Sequence, residues 1–393
     1  MRFQEEDSLI INLAVTGRCY ARCKGCINAA ITLDCDGPRN QMISSQETVP
    51  QRDTATILNL VSGHPGKTAT ICFYGGEPFL ATEKMEEIRK TLNRSPFGKM
   101  FRYMVYTNGE HLIRALKSFP ELMKEMWLYS LSVDGRTEQH QQARPGTSLT
   151  RIHQNLSHLR RACPGISLLW STLREEQSLL DCFEEFMELF QENLVDHFFW
   201  HWVETKEPFA NLPAYLKRYR SDLVKIMDVY VGKAEKGRIL PISHISELVL
   251  YLISGKKRGH SACGVELAEN YDIISGRVCA CADLPPNLGN VSADQNGKFR
   301  SGKKELASLV EYKDWLGCYE CGAHFYCGGR CPVQALTGSR ERTIQYCQLM
   351  RLHVETVKER IPEIKKALKH HGITLQNIYD QSAFITRYTD VTP

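Results

Sequence analysis

The chain has 393 residues, 42% of them hydrophobic and 24% charged, with a net charge of +4. That length predicts two or three domains around a substantial core. The small net charge argues against a nucleic-acid-binding face, and no apolar run approaches the ~20 residues that a membrane-spanning helix needs. The acidic start, Met1 to Asp7, has no signal-peptide apolar core, so a cytoplasmic protein with no membrane partner is expected. Fifteen cysteines in such a chain point to metal or cluster binding rather than to disulfides. Three lie at 19–26 and eight between 263 and 347, with Cys35, Cys72, Cys163 and Cys182 elsewhere, which predicts two cluster-bearing regions.

The first predicted strand, 8–15, runs into Cys19-Tyr20-Ala21-Arg22-Cys23-Lys24-Gly25-Cys26, a C-x3-C-x2-C spacing. Three thiolates on one short loop can hold three irons of a [4Fe–4S] cube, which normally takes four cysteines, leaving one iron open. Zinc with a distant fourth ligand, or burial as small apolar groups, would also use such residues. In this arrangement the chain resembles the radical S-adenosylmethionine (radical SAM) enzymes. The resemblance implies that Cys19, Cys23 and Cys26 are catalytic, and that the methionyl group of the cofactor chelates the open iron. An electron from the cluster would then release a 5′-deoxyadenosyl radical that takes hydrogen from a substrate. One departure stands out: the family usually has an aromatic residue before the last cysteine, where this chain has Gly25.

From there to about residue 203, β-rich runs alternate with amphipathic stretches, the pattern of βα units on a parallel sheet. Strands are expected near 8–15, 69–74, 101–107, 127–133, 166–172 and 196–203, and helices near 51–62, 81–94, 110–125, 149–162 and 176–193. This predicts an α/β fold, a partial, open (β/α)6 TIM-like barrel with its active groups on loops after the strands' C-terminal ends. After the second strand, Gly75-Gly76-Glu77-Pro78 resembles the family's GGEP element, whose backbone and Glu77 would receive the cofactor's ammonium. Glycines permit close backbone approach and a carboxylate suits an ammonium, although a tight turn into a helix start uses the same residues. Strand three ends in Thr107-Asn108-Gly109, an Asn-Gly turn signal, and strand four in Ser132-Val133-Asp134-Gly135.

The resemblance implies cofactor contacts from Thr107, Asn108, Ser132 and Asp134, with Arg144 meeting the cofactor carboxylate. Turn chemistry and a solvated arginine are the plainer alternatives. Thr172, at the end of strand five, is a weaker candidate. On strand six, alternation sends His201 opposite to Trp200 and Trp202. A barrel-facing tryptophan would bound a substrate cavity; otherwise both pack in the core.

The barrel is expected over 1–203, followed by a helical linker subdomain over 204–255 whose aromatics pack. A cysteine-rich domain follows over 256–350, then a C-terminal helix and tail over 351–393. The second cysteine system reads Cys263, Cys279, Cys281, Cys318-x2-Cys321-x5-Cys327-x3-Cys331 and Cys347. It resembles the SPASM extension of radical SAM maturases, which carries two auxiliary [4Fe–4S] clusters. By resemblance the nearer cluster uses Cys263, Cys281 and Cys331, and the further one Cys318, Cys321, Cys327 and Cys347. Cys279 is a candidate fourth ligand of the nearer cluster, the alternative being an iron open to substrate. A zinc ribbon would account for two cysteine pairs but would leave Cys263, Cys281 and Cys347 over. From Gln348 a basic amphipathic helix is expected to run toward His371, interrupted at Pro362, with an irregular tail and a solvated charged face.

These features imply an oxidoreductase that uses S-adenosyl-L-methionine and three [4Fe–4S] clusters to modify a peptide or protein by crosslink, thioether or side-chain oxidation. A flavodoxin- or ferredoxin-type electron donor would serve it. Anaerobic sulfatase maturases are similar in length, but they carry a catalytic aspartate directly after the cysteine matching Cys281, where this chain has Ala282; Asp283 is the candidate base. Only about eight residues precede the first strand, so a leader peptide would be bound elsewhere on the chain or by a separate protein. Action on a small metabolite, or a non-catalytic cluster or zinc protein, are the other readings.

Overall fold

The computed structural model describes residues 8–26, 47–284, 288–289, 291 and 303–389, so Cys35 lies outside the described residues. The barrel region runs β1 (Ser8–Thr16), α1 (Pro50–Ser62), β2 (Thr68–Gly75), α2 (Thr82–Arg94), β3 (Phe101–Thr107), α3 (Leu112–Ser118), α4 (Pro120–Glu125), β4 (Met126–Ser132), α5 (Thr137–Ala143), α6 (Leu149–Ala162), β5 (Ile166–Leu173), α7 (Leu179–Gln191) and β6 (His197–Trp202). All six expected strands are present. The expected helix over 110–125 is two helices, because Pro120 has no N–H to continue the ladder and pushes Phe119 out of helical geometry (φ −138°, ψ 61°).

Neighbouring strands β1 to β6 pair in parallel, in chain order. Period-two alternation then separates two faces. Leu9, Ile11, Leu13 and Val15 of β1 pack outward into the helix-facing core, while Ile10 joins Cys72, Met104, Leu128, Leu168 and Phe199 inside the barrel. Further along the same inward rows come Asn12, Tyr74, Tyr106, Ser132, Thr172 and His201, which line one cavity. The barrel's upper lumen is therefore polar, and its lower lumen apolar.

Beyond the barrel lie α8 (Leu212–Ala234), α9 (Ser243–Ser254), β7 (Asn270–Ile274), β8 (Arg277–Cys279), α10 (Lys303–Ser308), α11 (Tyr312–Trp315), α12 (His324–Cys327), α13 (Pro332–Thr337), α14 (Arg340–Glu359), α15 (Ile361–His371) and α16 (Leu375–Gln381). Tyr215 of α8 stacks on Phe209, and both are buried, so aromatics of the 204–255 stretch do pack. The sequence reading missed β7 and β8. β7 pairs in parallel with β1, Ile10 opposite Asn270, and β8 returns antiparallel. Ser275 (φ +50°) and Gly276 (φ +82°) turn between them with the left-handed geometry of a tight hairpin. Among the described residues the sheet thus has eight strands, in the order β6-β5-β4-β3-β2-β1-β7-β8.

The C-terminal region also differs from expectation. α14 begins at Arg340, capped by Ser339, and the described part of the tail carries regular structure. A capping box at Thr374 and Asn377 starts α16, and a 3-10 turn follows over Ala383–Tyr388. Ile385 and Tyr388 complete the apolar cluster inside the barrel, with the Tyr388 ring 4.6 Å from that of Trp127. Tyr106 Oη donates to the Tyr388 carbonyl at 2.8 Å, so the tail closes the lower end. Tyr388→Ala is expected to lower stability by about 3 kcal/mol in urea melts, the usual cost of deleting a buried aromatic ring. Among the described residues no helix is long and apolar enough to cross a membrane.

Candidate active site

The turn after β2 fixes the first cysteine loop. Gly76 N donates to Thr16 O at 2.7 Å and Glu77 N to Arg18 O at 2.8 Å. A Cβ on Gly75 (φ +118°) or Gly76 would collide with those same carbonyls. The two glycines are therefore required for β1 and β2 to meet immediately before Cys19. On the other side of the loop, Lys24 N bonds Ala143 O at 2.9 Å, and Arg174 Nε donates to Lys24 O at 2.5 Å. Gly25 has φ +56°, and a Cβ there would stand 2.6 Å from Val203 Cγ2, so any larger residue here would be strained and would require Val203 to shift.

Cys19, Cys23 and Cys26 open onto one cavity, together with Gly75, Gly76, Thr107, Asn108, Ser132, Arg144 and Thr172. Glu77 and Asp134 lie beneath its wall, both fully buried. The Glu77 carboxylate accepts from Thr107 Oγ1 at 2.8 Å, Asn108 N at 2.9 Å and Phe79 N at 3.2 Å. It ties the end of β2 to the end of β3 and so holds the polar groups that do face the cavity. Asp134 accepts from Arg144 Nε at 2.7 Å, Arg174 Nη1 at 2.8 Å and Thr172 N at 2.8 Å. Its role is to aim Arg144, whose Nη1 comes 3.7 Å from Cys23 Sγ.

Burial pushes Glu77 up to about 7, against the pull of its hydrogen bonds. A carboxyl raised in the fold adds stability that is whole below its unfolded value, near 4.3, and is lost as pH climbs through about 7. The stability of the wild type relative to Glu77→Gln should accordingly fall between pH 5 and pH 8, read from thermal melts of the two proteins in parallel. A constant difference across that range would refute the assignment.

Cys263, Cys281 and Cys331 border the same cavity, with Asp272 and Asp283 beside them. Cys279 is turned elsewhere: its thiol donates to Asp272 O at 3.6 Å, within a cluster of Ala14, Tyr74, Ile274 and Ala282. Cys318, Cys321, Cys327 and Cys347 surround a second, smaller cavity, and Cys331 touches both. Burial pushes the Cys19 and Cys327 thiols up to about 12 and Cys318 to about 11; thiols in such places become thiolates when a metal takes the proton's place. Among the described residues no three His, Cys, Asp or Glu side chains close on a single ion-sized point. The cysteines instead stand around spaces, and these donor sets fit iron–sulfur cubes. Cys72, Cys163 and Cys182 are core residues.

Neither tryptophan of β6 reaches the cavity. Trp200 and Trp202 are buried on the helix side, Trp200 Nε1 donating to Tyr219 Oη at 3.2 Å. His201 faces inward, its Nε2 2.8 Å from Thr172 Oγ1. The sequence reading missed Asn12, Tyr74, Tyr106, Trp170, Arg174 and Asp272 as wall residues. Asn12, a lone amide within the apolar run 9–15, carried a usable signal; Asp272, on an unforeseen strand, did not.

Residues 13–190 match the family model described as the Radical SAM superfamily. Among solved structures, the chain is similar to native anSMEcpe with bound AdoMet, at TM-score 0.69 and 16% identity, over 92% of this chain and 100% of that one. Native anSMEcpe with bound AdoMet and Cp18Cys peptide gives TM-score 0.67 and 17% identity, over 92% and 99%. Streptococcus suis SuiB bound to precursor peptide SuiA gives 0.53 and 13%, over 85% and 74%. At these identities the likeness is one of fold. No curated protein matches the chain in sequence. With the family match spanning β1 to α7 and the first cysteine loop seated among the ends of those strands, residues 13–190 are a radical SAM domain.

Proposed function

We propose that the chain is a radical SAM oxidoreductase that modifies a side chain of a peptide or protein, with two auxiliary clusters receiving the electron that leaves the substrate. The observation that carries this reading is that Cys19, Cys23 and Cys26 share one cavity with Cys263, Cys281 and Cys331. Its free space is about 1500 Å³, counting the part open to solvent. When bound, S-adenosyl-L-methionine on the first cluster supplies the group that abstracts hydrogen from a strong C–H bond.

The chain's own residues place the reactants. Arg144, locked by Asp134, presents a guanidinium to the cofactor carboxylate, and Thr107, Asn108 and Ser132 offer polar contacts to its ribose. Asp283, on the cavity wall with Cys281, would take the proton a substrate loses on oxidation. Cys263, Cys281 and Cys331 would hold the nearer cluster, leaving one iron without a cysteine ligand, as Cys279 is turned aside. Cys318, Cys321, Cys327 and Cys347 would hold the further one.

The solved anSMEcpe and SuiB structures with bound peptides support a peptide over a metabolite. A flavodoxin- or ferredoxin-type protein would deliver the priming electron. The test is mass spectrometry of peptides co-expressed anaerobically with wild type or Cys281→Ala. A peptide that loses a hydrogen pair with wild type and stays unmodified with the variant is the expected result. Turnover of a small metabolite, with no peptide changed, would overturn the peptide reading.

A further inference from the structure

We propose that the buried ion pair between Glu204 and Arg330 is an oriented charge pair between the two auxiliary cluster sites, making the further site the stronger electron acceptor. This rests on the auxiliary-cluster reading above.

Glu204 lies two residues past the end of β6, and its Oε1 lies 3.1 Å from Arg330 Nη2, with both side chains largely buried. Arg330 sits in the turn between Cys327 and Cys331, at φ +59°, with its N–H on Cys327 O at 3.0 Å. Its guanidinium lies 4.1 Å over the Tyr346 ring and donates to Trp202 O at 3.0 Å. A non-glycine residue held in the left-handed region at this place aims a permanent cation between two cysteine groups.

The surroundings of the two groups differ in sign. At the nearer site, Asp272 and Asp283 line the cavity with Cys281, and at Cys331 Glu204 is the leading charge with Arg330 next and opposing it. At the further site Arg330 and Arg351 line the smaller cavity with Cys318, Cys321, Cys327 and Cys347, and Lys313 acts on Cys318, where Asp314 is the opposing anion. His201 Nδ1 is 3.6 Å from Glu204 Oε2, and Glu266 holds Lys313 at 2.9 Å. Reduction adds one negative charge to a cluster, so cations raise its potential and anions lower it, most strongly where water is excluded. In the transfer itself one electron moves: the substrate radical is oxidised and gives up a proton, the nearer cluster is reduced, and the electron then passes to the further one, restoring the nearer.

The test is an EPR-monitored redox titration of the anaerobically reconstituted full-length protein, with Cys281→Ala identifying the nearer cluster's signal. In wild type the further cluster should titrate at the higher potential. Glu204→Gln should raise the nearer potential and narrow the gap, and Arg330→Gln should lower the further one. Arg330→Lys keeps the charge and should keep the order. Iron content and melting temperature verify that each variant is folded and loaded, and Glu204→Gln with Arg330→Lys decides the matter if Arg330→Gln does not fold. Potentials unmoved by Glu204→Gln, or a nearer cluster that titrates above the further one in wild type, would overturn the proposal and leave the pair as a structural clamp. Wild type holding well short of about twelve irons, the content of three cubes, would instead remove the auxiliary-cluster reading beneath it.

Discussion

Cys23→Ala is expected to reduce S-adenosylmethionine cleavage to the buffer background, and to lower the iron content from about twelve to about eight per chain. The loss should reach at least ~10³-fold, the floor of a product assay, because an enzyme's whole acceleration, ~10⁶-fold or more, would rest on this one cluster. Among the described residues the other thiols on the cavity are Cys263, Cys281 and Cys331, which come from the cysteine-rich C-terminal region. Iron unchanged at the wild-type value with cleavage intact would show that the triplet holds no cluster. The auxiliary sites should remain filled in the variant, since β7, β8 and α11 to α14 fold around their own cysteines.

Asp134→Ala is expected to be the most damaging substitution that spares every cysteine. Burial alone would raise this carboxyl, but Arg144 and Arg174 hold it well below the usual carboxylate range. Removing it leaves two guanidiniums facing an empty space, and breaking a buried charge network in this way costs about 3–5 kcal/mol. Melting should drop by several degrees, with cofactor affinity falling too as Arg144 loses its aim. Asp134→Asn, which keeps the shape, should fall between the two. The sign with pH follows from the depressed value: the stabilisation is whole above the unfolded carboxyl's value, near 3.9, and fades as pH drops below it. A variant as stable as wild type at pH 7 would refute the role assigned to Asp134.

Much of the barrel was legible because its strands announce themselves locally. The runs 8–15 and 101–107 are dense in β-formers and bounded by polar turns. β7 was not, because a five-residue strand among asparagine, aspartate and cysteine has no period to read, and its partner lies some 260 positions earlier in the chain. The tail failed for a similar reason: Ile385 and Tyr388 form no pattern of their own, and only the barrel's open lower end explains their burial. At the site, cysteine spacing brought out six of the residues that line the cavity. It could not show that Glu77 and Asp134 act beneath the wall, since a carboxylate's partners are set by burial and by distant arginines such as Arg174. Nor does spacing show that Gly25 lies against Val203, whose Cγ2 a side chain there would meet.

The hydrogen bonds that β7 shares with β1 tie the fate of two sequence regions together. An attempt to graft this cysteine-rich half onto another barrel would have to carry a matching edge, or the graft would expose a bare margin inviting fibril-like self-association. Proteolysis near residue 256 should not yield two separable halves, since the cut pieces would stay zipped along that seam. Substitutions on either flank of the seam are therefore expected to be tolerated in compensating pairs rather than singly.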